Sequence, residues 1–252
     1  MNRVLVDVDG TVGRITLNRP EVMNAIDTAL ATELEHALRE LDAEDDVHVI
    51  VVRGSGGNFC AGGDVQEVRR LSELGPQALD VLFAAFRSAC TSIRDIDTPV
   101  IAVVEGVAMA GGFELVQAVD IALVRDDARL SDNHVNFGQI PGGGGSQRLP
   151  RLLGKQRALG HLLSGERLSG ADAEQLGLAT RSFPAEEFES SAEEFVQRVA
   201  SKDALALRTI KRLVHDGFDL PLEEGLDLEQ RAVVQHITGS DAFATFGERS
   251  AS

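Results

Sequence analysis

Tryptophan and tyrosine are absent from this 252-residue chain, and its aromatic content of 4% is phenylalanine alone. Base-stacking platforms for single-stranded nucleic acid are therefore not expected. A formal charge of −16 points the same way, because nucleic-acid binding rests on cations that neutralise phosphates. It also disfavours an anionic membrane surface. Cysteine is scarce: Cys60 and Cys90 have neither metal-ligand spacing nor the makings of a disulfide framework, so a reducing cytoplasm is the expected compartment. No apolar run approaches the roughly 18–20 residues of a membrane span. The N-terminus, Met1 to Asp7, goes directly into a strand pattern, with no basic-then-apolar leader. Neither a fixed-period repeat nor a low-complexity linker interrupts the chain.

What is present fits one sizeable domain, with or without a small appendage. Hydrophobic content of 43% and charged content of 25% are ordinary for a globular chain. Val4 to Asp9 and Val12 to Asn18 read as strands joined at the turn signal Asp9-Gly10. Asp27 is placed to cap a helix bearing Leu30, Leu34, Ala37, Leu38 and Leu41 on one face. A strand follows from Val47 to Val52, then a helix with Leu79, Leu82, Phe83, Phe86, Cys90 and Ile93 on one side. Strands opening at Pro99 and at Ile121 continue the alternation, which implies parallel pairing and right-handed crossovers. Beyond about residue 190 only helical patterns remain: 204–214, and a second marked by Leu222, Leu226, Val233 and Ile237. Their apolar faces need a partner.

Two glycine-bearing segments, Phe59-Cys60-Ala61-Gly62-Gly63-Asp64 and Met109-Ala110-Gly111-Gly112-Phe113-Glu114, each follow a strand pattern and lead into a helical one. Unpaired N–H groups at a helix start favour negative charge, and glycine lets backbone approach a ligand closely. Two such donors from different loops can hold an oxyanion, with Glu114 one helical turn beyond Gly111.

In order and spacing, these loops resemble the signature segments of the enoyl-CoA hydratase/isomerase (crotonase) superfamily. The resemblance extends from the first strand pair through 15–26 to Gln139-Ile140-Pro141-Gly142-Gly143-Gly144-Gly145-Ser146-Gln147-Arg148-Leu149. It implies an α/β fold: a crotonase-like β/α spiral core over 1–190, followed by a C-terminal helical oligomerisation region over 191–252 that assembles homotrimers or hexamers. It further implies an acyl-CoA thioester as substrate and partner, no cofactor beyond the CoA handle, and no metal. Gly63 and Gly111 would form the oxyanion hole. Glu114 matches the first of two catalytic acids, and substrate contacts are implied at Ala25, Ala61, Gly63, Asp64, Val65, Gln66 and Gly111.

Departures from the family pattern fall at informative places. His134 stands where the second catalytic glutamate is expected. Glu21 and Gln66 occupy positions where many relatives carry lysines near the CoA phosphates, and Glu105 stands in place of an asparagine. An isolated histidine is more often structural than catalytic, and His36, His48, His161, His215 and His236 have no motif around them. His134 differs in its position, and a pKa near neutrality suits proton transfer. If its segment is extended, Asp132, His134 and Asn136 share one face, so that Asp132 either orients the imidazole or competes with it. Glu114, flanked by Phe113 and Leu115, is expected to be partly desolvated, with a raised pKa.

Gly142 to Gly145 lack the Lys-Ser/Thr of a phosphate loop and read as a backbone turn entering a helix. Cys60 reads as a packing residue. Three functions stay open on the sequence: hydration or isomerisation of an enoyl thioester, hydrolysis or carbon–carbon cleavage by Glu114 and His134, and non-catalytic acyl-CoA binding. Side chains around 65–85 and 130–140 are expected to select the acyl group.

Overall fold

Asp9-Gly10 closes an antiparallel hairpin between β1 (Val4–Asp9) and β2 (Val12–Leu17), with Gly10 at φ +60°, a turn conformation that suits glycine. The chain is described by a computed structural model over residues 2–239. α1 (Thr28–Asp42) begins where Asp27 accepts from the Leu30 N–H at 2.7 Å, and all five leucine and alanine positions expected on its inner face are buried. β3 (Val49–Gly54) starts two residues later than its sequence pattern, because the His48 and Val49 N–H groups bond to the Thr11 carbonyl. α2 (Val65–Leu74) had no clear sequence signal, since only Leu71 of it is buried. α3 (Pro76–Asp95) carries Leu82, Phe86, Cys90 and Ile93 inward, while Phe83 is 40% exposed.

β4 (Val100–Val104), β6 (Ile121–Arg125) and β9 (Arg181–Phe183) complete a six-stranded sheet in the order β1-β2-β3-β4-β6-β9, parallel from β2 onward. Its central strands are almost purely aliphatic because both faces are covered. Ile50, Val52, Ala102 and Val104 face the core built with α1 and α3. Val49, Val51, Ile101, Val103 and Leu123 face Phe188, Ala192, Val196 and Ala200 of α8 (Phe188–Ala200). α8 thus packs on the sheet and spans the 190/191 position.

A second, three-stranded sheet joins β5 (Val107–Met109), β7 (Arg129–Ser131) and β8 (Leu168–Ser169) in that order. It carries α4 (Gly111–Val116) at the end of β5. α5 (Gly145–Leu153), α6 (Lys155–Ser164) and α7 (Gly170–Leu176) follow. The chain then ends its described part with α9 (Ala204–Gly217) and α10 (Leu222–Gly239). Leu222, Leu226, Val233 and Ile237 of α10 are 42–76% exposed, so the apolar face expected there is uncovered in the single chain. The remainder of the expected C-terminal region, 240–252, lies outside the described residues. No helix among the described residues is long and apolar enough to cross a membrane.

Candidate active site

Strand pairing holds the two glycine loops together. Cys60 donates to the Val107 carbonyl at 2.8 Å and accepts from the Met109 N–H at 3.0 Å, joining the first loop to β5. Gly112 lies so close to Cys60 that a Cβ there would collide with the Cys60 carbonyl. Gly62, at φ +103°, is also tightly placed: a Cβ would stand 2.9 Å from the Met109 carbonyl oxygen and 3.2 Å from the Gly111 nitrogen. Cys60 is therefore a packing residue, and burial pushes its thiol up to about 12.

Ala110 occupies φ +47°, ψ −116°, a conformation that opposes its Cβ. Two bonds hold it: its N–H donates to Ser131 of β7 at 2.8 Å, and its carbonyl accepts from Glu114 at 2.9 Å. This kink starts α4 at Gly111. On the facing loop, Ile26 bridges to Gly63, donating to the Gly62 carbonyl and accepting from Asp64. Among the described residues, the Gly63 and Gly111 N–H groups donate to no protein acceptor, which leaves two backbone donors on adjoining loops.

Glu114 is 1% exposed, more deeply buried than its apolar neighbours suggested. Its Oε1 accepts from the Gly143 and Gly145 N–H groups at 2.8 and 2.7 Å. The glycine run therefore cradles a protein carboxylate. It enters its helix at Gly145, two residues before Gln147. Side chains are excluded along the run: a Cβ would meet Phe83 at Gly142 and Phe86 at Gly143, one at Gly145 would stand 2.5 Å from Asp132 Oδ2, and Gly144 sits at φ +118°. Arg148 closes the turn by donating to the Gly143 carbonyl at 2.5 Å.

The other carboxylate oxygen, Oε2, stands 3.8 Å from His134 Nε2. His134 Nδ1 lies 2.6 Å from Asp132 Oδ1, and Asp132 is 2% exposed. The segment is not extended as expected. Asn133, at ψ 16°, turns the chain out of β7 into a 3-10 helix, His134–Phe137, and Asn136 points away to donate to the Gly165 carbonyl. Asp132 and His134 stay together and Asn136 leaves them.

Burial raises the Glu114 pKa above the ordinary carboxylate value; the Gly145 bond, the His134 charge and the Gly143 bond oppose this, and the Asp132 charge reinforces it. For His134, burial works against the cation. The Asp132 hydrogen bond and the charges of Asp132 and Glu114 outweigh it and raise the imidazole above its usual value.

The remaining residues flagged from sequence lie around the first loop. Asp64 caps α2, accepting from Gln66 and Glu67, and pairs with Arg19 at 2.8 Å. Arg19, 7% exposed, also donates to the Ala25 carbonyl at 2.5 Å. Ala25 and Asp64 are thus tied together by an arginine that carried no assigned role in the sequence, although it sits inside the matched segment. Ala61 donates to Met23 at 2.9 Å. Val65 is 78% exposed, and Gln66 and Glu21 are exposed. Glu105 pairs with Arg125 at 3.1 Å. The cradle of Gly143 and Gly145 was not read from the sequence. Its signal, four glycines opening a helix, is generic until the fold brings Glu114 to it.

A buried acid held by backbone faces a carboxylate-paired histidine, with two unpaired N–H groups on adjoining loops, an arrangement that makes this the candidate acid–base site of the α/β scaffold. The enoyl-CoA hydratase/isomerase family model matches residues 7–250, and the chain belongs to that family. A probable enoyl-CoA hydratase of Mycobacterium bovis is 36% identical over 228 residues, covering 90% of this chain and 87% of the relative. The mitochondrial enoyl-CoA hydratase of Pongo abelii is 35% identical over 233 residues, covering 92% and 79%. The crystal structure of enoyl-CoA hydratase from Bacillus anthracis superposes with a TM-score of 0.91 at 30% identity, covering 98% of this chain and 96% of that one.

Proposed function

We propose that the enzyme adds water across the double bond of an enoyl-CoA thioester. The thioester oxygen accepts from the Gly63 and Gly111 N–H groups, each donor contributing about 3–4 kcal/mol as negative charge develops there. Glu114 takes a proton from water as its oxygen bonds to the β-carbon. The π electrons move toward the thioester oxygen, forming an enolate. Protonated His134 then delivers its Nε2 proton to the α-carbon. Glu114 Oε2–H and the neutral Nε2, 3.8 Å apart, can pass the proton back and reset the site. Gly143 and Gly145 hold Oε1, so Oε2 is the working oxygen. No cofactor beyond the CoA moiety of the substrate takes part.

The facing of Glu114 and His134 carries this reading. The test is turnover of a short enoyl-CoA, with product identification, by wild type and Glu114→Gln. Unchanged turnover in the variant overturns the role of Glu114. One observation favours a second reading: a histidine paired to a buried aspartate is a general-base arrangement toward water. Hydrolysis or carbon–carbon cleavage would appear in the same assay as free CoA or a shortened acyl product, and tight binding without turnover would mark a binding protein. We further propose that a second copy covers Ile210 and Val214 of α9, Phe218 just beyond it, and the uncovered face of α10, in a homotrimer or hexamer; sedimentation of the full chain reads this directly.

A further inference from the structure

We infer that Asp132 is the positioning residue that decides which nitrogen of His134 reacts, an inference that rests on the proton-transfer role proposed above for His134. An ionised carboxylate only accepts hydrogen bonds, so at 2.6 Å from Oδ1 the imidazole must carry hydrogen on Nδ1. Nε2 is then the nitrogen that gains and loses the proton. It is also the one that faces Glu114 Oε2. Without Asp132 the Nδ1 hydrogen loses its acceptor, and a ring with hydrogen on Nε2 alone cannot take a proton from Glu114.

Asp132 is placed for this task and poorly placed for a structural one. Its Oδ2 is buried without a hydrogen-bond partner among the described residues, and a methyl group at position 145 would stand 2.5 Å from it. Buried carboxylates that serve structure have their oxygens satisfied, and an exception asks for a function. Among the described residues His134 is the one group that bonds to the Asp132 carboxylate, which is 1% exposed as a side chain. The preceding residue, Ser131, is anchored by accepting from the Ala110 N–H at 2.8 Å. The imidazole is therefore referenced, through Asp132 and Ser131, to the same kinked loop that presents Gly111. The charged groups acting on His134 are Asp132, from the segment after β7, and Glu114, from α4.

The experiment is ¹⁵N NMR of the His134 ring across pH in wild type and Asp132→Asn, with steady-state kinetics of Asp132→Asn and His134→Ala on enoyl-CoA. In wild type the neutral ring should carry hydrogen on Nδ1. Asp132→Asn should lower the titration midpoint, reduce kcat about a hundredfold or more and leave KM within about threefold. A neutral wild-type ring protonated on Nε2 overturns the inference, whatever the variant does on folding. So does an Asp132→Asn enzyme with kcat within threefold of wild type while His134→Ala is impaired, and that result leaves the proposed function standing. Full activity in His134→Ala instead removes the proton-transfer role of His134 and this inference with it.

Discussion

Two partly buried aspartate–histidine pairs occur among the described residues, and they are built for opposite ends. At the base of α9, Asp120 Oδ1 meets His215 Nε2 at 2.7 Å, while Oδ2 accepts from the Val100 N–H at 2.8 Å and lies 2.9 Å from Lys211 Nζ. Lys211, 6% exposed, spends its other hydrogens on the Ile93 and Thr98 carbonyls at 2.6 and 3.0 Å. Both Asp120 oxygens and the Lys211 ammonium have partners, and the cluster joins α9 to the end of α3 and to β4. In the candidate active site the Asp132–His134 pair is as short, yet among the described residues Asp132 Oδ2 has no partner, and His134 Nε2 faces an acid across 3.8 Å. One aspartate has both oxygens engaged and fastens helix to sheet; the other keeps one oxygen open beside a titratable pair.

The largest effect that separates the two regions should come from Glu114→Gln. A glutamine can still accept from Gly143 and Gly145, so the cradle survives while the base is lost. General-base removal costs about 10²–10⁴-fold, and kcat on an enoyl-CoA should fall within that range. The thermal midpoint should hold or rise, because a buried charge has been removed. A midpoint that falls together with activity would make Glu114 a structural residue.

Lys211→Met should show the reverse. Breaking a buried ion pair by removing one partner costs about 3–5 kcal/mol. Here Asp120 keeps His215 and the Val100 N–H, while the Ile93 and Thr98 carbonyls lose their donor, which places the cost toward the lower end. Denaturant unfolding should record a loss of that order, while kcat per folded molecule stays at the wild-type value. Loss of kcat in fully folded protein would tie the α9 cluster to the active site and erase the contrast.

The two pairs also differ in how visible they were in the sequence. Asp132 and His134 are two residues apart at a recognisable family position, so their association was legible, and only the local turn that removes Asn136 was not. Asp120 and His215 are brought together by docking of α9, and His215 stood among histidines with no motif. The same division runs through the fold. The hairpin, the faces of α1 and α3 and the parallel core follow from periodicity, because burial on one or both sides writes itself into the residue pattern. α2 buries Leu71 alone and left no pattern to read. The Gly143 and Gly145 donors were hidden for another reason: backbone N–H groups have no residue identity, and their target, Glu114, lies 29 and 31 positions away.

Gly145→Ala tests whether the cradle tolerates any side chain. The added methyl would stand 2.5 Å from Asp132 Oδ2 and 3.2 Å from Glu114 Cγ, so both acids must move. A displacement near 1 Å at reacting groups costs about 10²-fold, with about 1–3 kcal/mol of overpacking. Gly160→Ala, where a Cβ meets nothing within 4 Å, is the matched control and should leave kcat unchanged.

The mildest test is pH. As a base, Glu114 must be ionised, and its raised pKa moves the acid limb of kcat/KM above the ordinary carboxylate range. As a donor, His134 must be protonated, and its raised pKa moves the alkaline limb above the ordinary imidazole value. Both limbs shift upward together, and because the groups interact they belong to the pair. Stability obeys the same sign. A group held at a raised pKa when folded contributes fully below its unfolded pKa, and the contribution is lost as pH rises through the folded one. His134→Ala should therefore flatten the fall in unfolding free energy above neutrality, while Lys211→Met should lower the whole curve and keep its slope there. Parallel pH profiles of wild type and His134→Ala would mean that the active-site histidine, like His215, is held for structure and not for its proton.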